Sequence, residues 1–347
     1  MNLGQRETEG ESTRFFFLEA LRVAAGRPAV WLTTWFGMVV MAFAVTLPWV
    51  NWFAGVFDDY EPGTLVWTLT RAFRTDHSAE MGALNAATAR TGAVLVFVSY
   101  LFGVFAAGGW LQVLLERTHG QSFRRFCLGG ARYFWRFFRV LVLTLLLLAL
   151  LSWVFYEWPW KWIVLNWMFG VPKSDFSSLE TLSSELTVRQ LGWAQDGLYA
   201  LFFGLTLIWG RYTRTRLALH GASSALLAGL ATFFLMLRHP IKTLRPMVIL
   251  LVIEAGLAFG LGVATTNVEL GLQEAPTILR ILLLFGLGQI LLLFREVLRG
   301  ADYCAAVLVS QELVEAPTGT DPWKGAIGGP GGPRYPIDDS DEYGVVM

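Results

Sequence analysis

Six long apolar segments separated by polar connections dominate the pattern of this chain of 347 residues. A helix needs about 20 largely apolar residues to cross a bilayer, because the hydrocarbon is roughly 30 Å thick and each residue adds about 1.5 Å. The pattern therefore predicts an all-α integral membrane protein with six transmembrane helices. The predicted spans are about 29–49, 92–115, 139–157, 197–217, 246–266 and 278–298.

The basic residues predict how these spans are oriented. Twenty of the 27 Lys and Arg flank the spans on the side of the N-terminus, and seven lie on the other side. Because short basic loops stay in the cytoplasm, both termini are predicted to be cytoplasmic, in the inner (cytoplasmic) membrane of a bacterium. Tryptophans cluster on the far side in "EWPWKWIVLNW" (157–167), as expected of an interfacial aromatic belt. The fourth span is the least apolar, since it ends in arginines that are predicted to reach for the interface.

A stretch that mixes aromatic and basic residues leads into the third span, "FRRFCLGGARYFWRFFRV" (123–140). Comparable amphipathic stretches lead into the first and fifth spans, at 12–28 and 226–246, and one follows the sixth, at 301–314. Recurrence of one unit along a chain is typical of internal repeats. The sequence thus predicts three repeated helix pairs, each preceded by a cytoplasmic interfacial amphipathic helix, with a fourth such helix at the end.

Helical spacing in 123–140 places the arginines on one face and most aromatic rings on another. Such a helix fits an anionic lipid surface, a partner helix or single-stranded nucleic acid. We favour lipid, because each cation near anionic headgroups contributes on the order of 1 kcal/mol, whereas nucleic acid would require aromatic rings presented to water. The predicted set for binding lipid or a partner is Arg125, Arg132, Arg136, Arg139, Arg238, Lys242 and Arg245.

One carboxylate, Glu254, lies deep within a predicted span, about 12 Å beyond Pro246. An ionised side chain there costs several kcal/mol unless it is paired or hydrated. Gln289 lies at a similar depth in the sixth span, so a hydrogen bond could join the two helices. A proton or solute relay is the alternative interpretation, although the sequence offers no second deep charge to complete it. The same helix carries a GxxxG pattern at Gly256 and Gly260, which predicts close packing within the protein.

Motifs for chemistry are lacking in the sequence. The two cysteines and four histidines are scattered, which argues against a disulfide framework or a metal site, and neither a nucleophile elbow nor a phosphate-binding loop occurs. We therefore predict no cofactor and no catalytic residue. A net charge of +0 gives no argument for a nucleic-acid partner. The stretch 1–12 is a polar tail, and 316–347, rich in Pro and Gly and acidic at its end, predicts a disordered cytoplasmic tail that could carry a segment for a protein partner.

The run "FAAGGWLQVLLERTHGQSFRRFCLGGARYFWRFFRVLVL" (105–143) pairs glycines near the end of one span with an aromatic and basic helix leading into the next. In this it resembles a group of uncharacterised six-span bacterial membrane proteins and the membrane domain attached to some glycerophosphodiester phosphodiesterases. The resemblance covers about 13–312 and includes no phosphodiesterase catalytic domain, so no catalytic residue carries over. It implies a membrane module with lipids or proteins as neighbours. A transporter of a small solute or lipid, using the polar site around Glu254, is the alternative function.

Overall fold

The computed structural model describes residues 16–57, 75–116, 121–176, 182, 184–220, 224–274 and 278–313. Within these ranges the regular structure is helical. The main helices are α1 (Phe16–Ala25), α2 (Pro28–Phe57), α3 (Ser78–Glu116), α4 (Ser122–Tyr156), α5 (Glu185–His220), α6 (Ala225–Arg238), α7 (Pro240–Glu274) and α8 (Ile278–Leu313). Shorter helical turns follow α4, at Trp158–Trp160, Lys161–Met168 and Lys173–Asp175. The predicted tails, 1–12 and 316–347, lie outside the described residues.

Six of these helices are long and apolar enough to cross a membrane, namely α2, α3, α4, α5, α7 and α8. Apart from residue 157 at the end of the third segment, each predicted apolar segment lies within one of these helices, so the prediction of six helices able to span a membrane is confirmed. The helices extend past the predicted boundaries because the flanking residues also favour helix. The Ala-rich stretch 78–91, for example, precedes the second predicted span and forms the first turns of α3.

Consecutive spanning helices pack as antiparallel pairs, α2 with α3, α4 with α5, and α7 with α8. At one end of the molecule the pairs are closed by side-chain contacts: Trp52 donates to Glu80 over 3.2 Å, and Tyr156 donates to Asp196 over 2.8 Å. We call this the tryptophan end. It is defined by Trp49, Trp52, Trp158, Trp162, Trp167 and Trp193.

The core lies at the opposite end, which we call the basic end and define by Arg125, Arg132, Arg211, Arg245 and Arg299. Its largest buried side chains come from four of the spanning helices and include Trp110, Phe126, Phe137, Tyr212 and Met247. The middle sections of the spans stay exposed, as Phe97 on α3 and Phe259 on α7 show. The helices are thus held together mainly at the basic end, and their apolar middles are left to face hydrocarbon.

The distance between the two ends matches a bilayer. On α5, Trp193 and Arg211 are 18 residues apart, or about 27 Å along the helix. On α8, Arg280 and Arg299 are 19 residues apart, or about 28 Å. Both values are close to the roughly 30 Å of hydrocarbon in a typical bilayer. Arg211 and Arg299 therefore mark one polar boundary of the apolar slab, and Trp193 and Arg280 mark the other.

Glycines allow α3 and α4 to cross with their backbones in contact. A Cβ atom added at Gly108 would lie 2.7 Å from the Gly129 carbonyl oxygen, and one added at Gly129 would overlap the Gln112 side chain. These small residues therefore allow the backbones of α3 and α4 to approach closely at the end of the second span. At Gly256 and Gly260 the added atoms meet nothing within 4 Å. The prediction that this GxxxG pattern packs within the protein is wrong for the described part of the chain, because no described residue covers that face of α7.

The four stretches predicted as interfacial helices differ in the structure. The stretches at 12–28 and 226–246 contain the separate short helices α1 and α6, whereas 123–140 continues without a break into the third span as the first half of α4. The stretch 301–314 continues α8 to Leu313, and its residues from Ala301 to Ser310 are buried except Leu308. An interfacial helix is not confirmed for these last two. In α8 the reason is its small side chains, which let α1 and other helices pack around it.

Candidate functional site at the basic end

The basic residues of the basic end form two groups, and the first is paired inside the protein. Arg211 of α5 lies 2.6 Å from the buried carboxylate of Asp302 on α8. One turn further along α5, Arg214 donates to the Tyr303 hydroxyl over 3.2 Å. A buried carboxylate is costly unless a cation compensates its lost hydration. These contacts therefore attach α5 to α8 through polar groups at the centre of the core.

Further charged residues of α8 extend this cluster towards α3 and α7. Arg299 lies 3.4 Å from the buried carboxylate of Glu296 and reaches the backbone of α3 beside Gly103. Arg299 and Glu254 are also within electrostatic reach of Asp302. We call Arg211, Glu254, Arg295, Glu296, Arg299 and Asp302 the charge cluster. It alternates in sign across α5, α7 and α8, so its charges largely compensate each other.

The two residues of the predicted intramembrane polar site have different partners. Glu254 Oε1 lies 3.5 Å from Arg295 Nε on α8, whereas Gln289 Oε1 accepts a hydrogen bond from Trp35 Nε1 of α2 over 3.2 Å. Glu254 therefore does link the fifth and sixth spans, but through Arg295, and Gln289 links the sixth span to the first. The side chain of Glu254 is 35% exposed and that of Arg295 is 67% exposed, so protein does not enclose this pair.

The second group of basic residues has no acidic partner in the described part of the chain. From the predicted lipid-binding set it comprises Arg132, Arg136, Arg139, Arg238 and Arg245, all exposed except the half-buried Arg136. The other two members of the predicted set do have partners. Arg125 lies 3.2 Å from Glu116, and Lys242 lies 3.0 Å from Glu312. We call these five residues, which lack an acidic partner in the described part of the chain, the unpaired arginines; Arg132 does lie over the ring of its neighbour Tyr133, 5.8 Å from the centroid.

The aromatic face of 123–140 is directed at protein. Phe126, Tyr133 and Phe137 are buried in the core, and Phe126 packs on Gly109 of α3. The expectation that this whole face sinks into lipid is therefore not confirmed. Among the aromatic residues of this stretch, Phe123 and Trp135 remain exposed at the surface. Because α3 covers one side of this part of α4, the arginines lie on the other, outer side.

Sequence reasoning identified Glu254 but missed the other two carboxylates of the charge cluster. Asp302 and Glu296 were not singled out, and Arg211 and Arg214 were expected to reach for the interface rather than inwards. A signal was present: "ADYCAAVLV" (301–309) has small or apolar residues on all sides, which is typical of a buried helix. An acidic residue within such a stretch requires a cationic partner.

Metal and redox sites find little support among the residues that the structure describes. In those ranges no group of three His, Cys, Asp or Glu side chains is placed to hold a metal ion. Cys127 is a half-buried thiol and Cys304 a buried one, and within the described chain neither belongs to a disulfide. The chemistry on offer at the basic end is therefore that of guanidinium groups, which favour phosphates and carboxylates.

The six apolar helices and the two polar ends define the class of this chain, a multi-pass membrane protein. No family model, curated protein or solved structure matches it.

Proposed function

We propose that this protein is a non-enzymatic module of the bacterial inner (cytoplasmic) membrane that binds anionic lipid headgroups at its basic end. Both termini and the basic end would lie in the cytoplasm. The observation that carries the proposal is the set of unpaired arginines, which lack an acidic partner in the described chain while other cations of the same end are paired. The resemblance to phosphodiesterase membrane domains implies the same kind of module and stays a prediction.

The chemistry of the unpaired arginines supports lipid as the ligand. A guanidinium group presents a planar set of donors that matches a phosphate, and it is more weakly hydrated than an ammonium group. Arg139 lies just outside the polar boundary of the slab, five residues before Thr144, which packs on Gly210 of α5 beside Arg211. Arg238 and Arg245 flank the start of α7. Lipid phosphates of the cytoplasmic leaflet occur at this depth.

We infer in addition that α1 and α6 are interfacial helices, as the amphipathic pattern predicts for their stretches. Each is too short to span a bilayer, with 10 and 14 residues respectively. Each is followed directly by a spanning helix, which holds it close to the membrane. A protein partner docking on the same surface, or on the C-terminal tail, is the competing interpretation of the exposed arginines.

Replacing Arg132, Arg136 and Arg139 together by Gln is expected to weaken binding of phosphatidylglycerol by about 100-fold. Three cations that each contribute on the order of 1 kcal/mol account for that factor. Binding would be measured by native mass spectrometry of the purified protein titrated with the lipid, at low and at high salt. The wild type should lose affinity as salt rises, because exposed charges are screened.

The matched control replaces three exposed basic residues of the tryptophan end, Arg90, Lys173 and Arg189, by Gln. It removes the same charge from the other side and should leave lipid binding close to that of the wild type. Equal binding by the triple Arg variant and the wild type would reject the lipid proposal. Loss of a co-purifying protein without loss of lipid would favour the protein partner instead.

The transporter interpretation is favoured by one observation, that the Glu254–Arg295 pair is partly open within the apolar slab, about one helical turn inside the boundary at Arg299. We expect Glu254→Gln to leave proton uptake by proteoliposomes unchanged, because an ion pair that links two helices has a structural role. Arg295→Gln is the companion variant, since it opens the same pair from the other side. Abolished uptake in Glu254→Gln, with a normally folded protein, would favour transport over the proposed module.

A further inference from the structure

Helix α6 has one face against protein and an opposite face that the described residues leave uncovered. Its small residues, Ala225, Ala228, Gly229 and Thr232, are buried. The ring of Trp209 on α5 rests on Gly229, and its Nε1 donates to the Gly229 carbonyl over 2.8 Å. The opposite face is large and apolar, with exposed fractions between 49% and 65% for Leu226, Leu227, Leu230, Phe233, Phe234 and Leu237.

The contacts of α6 with α5 give its direction. Gly229 meets α5 at Trp209, and Thr243, at the start of α7, accepts a hydrogen bond from Tyr212 of α5 over 2.8 Å. Trp209 and Tyr212 are separated by only about 4.5 Å along α5. The part of α6 between Gly229 and its end at Arg238 is about 14 Å long, so α6 crosses α5 rather than running beside it. Its axis is therefore close to the membrane plane, at the depth of Arg211.

The ends of α6 suit a helix that is placed in lipid. The Ser224 side chain caps the first turn by accepting from the Leu227 N–H, and the His239 N–H donates to the Leu235 carbonyl. The backbone within the helix is satisfied by its own hydrogen bonds, as hydrocarbon requires. Positions 225–237 carry no charge, and the first cation is Arg238 at the C-terminal turn.

We propose that α6 is embedded in the leaflet at the basic end, with its apolar face among the acyl chains and Arg238 and Arg245 at the lipid phosphates. Water is a poor neighbour for the apolar face of α6, because it would leave six large apolar side chains hydrated side by side. A second copy is disfavoured, since its basic residues would face Arg238 and Arg245 without a counter-charge. Lipid supplies both an apolar phase for the face and anions for its basic end. The inference rests on the proposed function only in placing the basic end at a membrane surface.

A nitroxide label on Leu230→Cys, with Cys127→Ser and Cys304→Ala in the full chain, tests this inference. The protein would be reconstituted in vesicles of phosphatidylglycerol and phosphatidylethanolamine. Electron paramagnetic resonance would then compare collisions of the label with oxygen, which enters hydrocarbon, and with a water-soluble nickel chelate. Labels at Phe259 and Arg238 serve as the lipid and headgroup references.

We expect the oxygen-to-nickel collision ratio at Leu230 to lie near that at Phe259 and several-fold above that at Arg238. A ratio equal to that at Arg238 would overturn the inference in favour of water, and shielding from both reagents would overturn it in favour of a protein cover. Phe233→Cys gives an independent reading of the same face. Repeating the measurement in purely zwitterionic vesicles separates the two proposals, because insertion of the apolar face should persist there even if binding of anionic headgroups does not occur.

Discussion

Asp302→Ala is expected to lower the free energy of unfolding by about 3–5 kcal/mol, because it removes one partner of a buried ion pair. The Arg211 guanidinium, now 2.6 Å from the carboxylate, would be left facing a core with no anion in its place. Unfolding of the purified protein in mixed micelles, followed by circular dichroism against denaturing detergent, would measure the change. Far-UV signal in native detergent shows whether the variant has folded.

The exposed pair Lys242–Glu312 provides the matched control for this prediction. Its side chains are 59% and 41% exposed, and exposed pairs contribute at most about 1 kcal/mol, so Glu312→Gln should have little effect. The double variant Arg211→Met with Asp302→Leu should recover most of the loss, since apolar residues can replace a buried pair. A loss in Asp302→Ala no larger than that in Glu312→Gln would contradict the central place given to this pair.

Gly129→Ala should destabilise the protein by about 1–3 kcal/mol, the usual range for a side chain forced into a packed contact. The new methyl group would overlap the Gln112 side chain and lie 2.7 Å from the Gly108 carbonyl oxygen. That oxygen belongs to the backbone of α3 and cannot rotate away, so α3 and α4 would have to separate. The same unfolding titration measures the effect.

Gly256→Ala is the control for this second prediction, since a Cβ atom there meets nothing within 4 Å. Alanine is the better helix former by about 1 kcal/mol, so this variant should be neutral or more stable. The two substitutions make the same chemical change, so any difference between their effects on the free energy of unfolding reports the difference in packing at the two sites. Destabilisation of both by a similar amount would mean that α7 is packed in the way that its GxxxG pattern suggests.

Local patterns in the sequence were sufficient for the six spanning helices. Whether a segment can cross hydrocarbon depends on its own length and apolarity. Each predicted span coincides with one of the six helices that are long and apolar enough to cross a membrane. The exposure of Arg132 and Arg139 also followed from helical spacing. These features are properties of one segment and need no knowledge of its neighbours.

Contacts between distant segments were beyond the reach of the sequence. Arg211 and Asp302 are 91 residues apart, and nothing in either segment specifies the other. For the same reason the aromatic face of 123–140 was assigned to lipid, although Phe126 packs on Gly109 of α3. Amphipathicity shows that a face must be covered. It does not show whether lipid or protein covers it.

The sidedness of single cysteines tests the central claim most directly, namely that the unpaired arginines face the cytoplasm and the tryptophan end faces outwards. In a chain that also carries Cys127→Ser and Cys304→Ala, Trp167→Cys and Arg132→Cys, both at exposed positions, would be treated with a membrane-impermeant maleimide. We predict that intact spheroplasts allow labelling at 167 and that 132 is labelled only after the membrane is permeabilised. Equal labelling of both positions in intact spheroplasts would contradict the orientation and, with it, the assignment of the arginines to the anionic cytoplasmic leaflet.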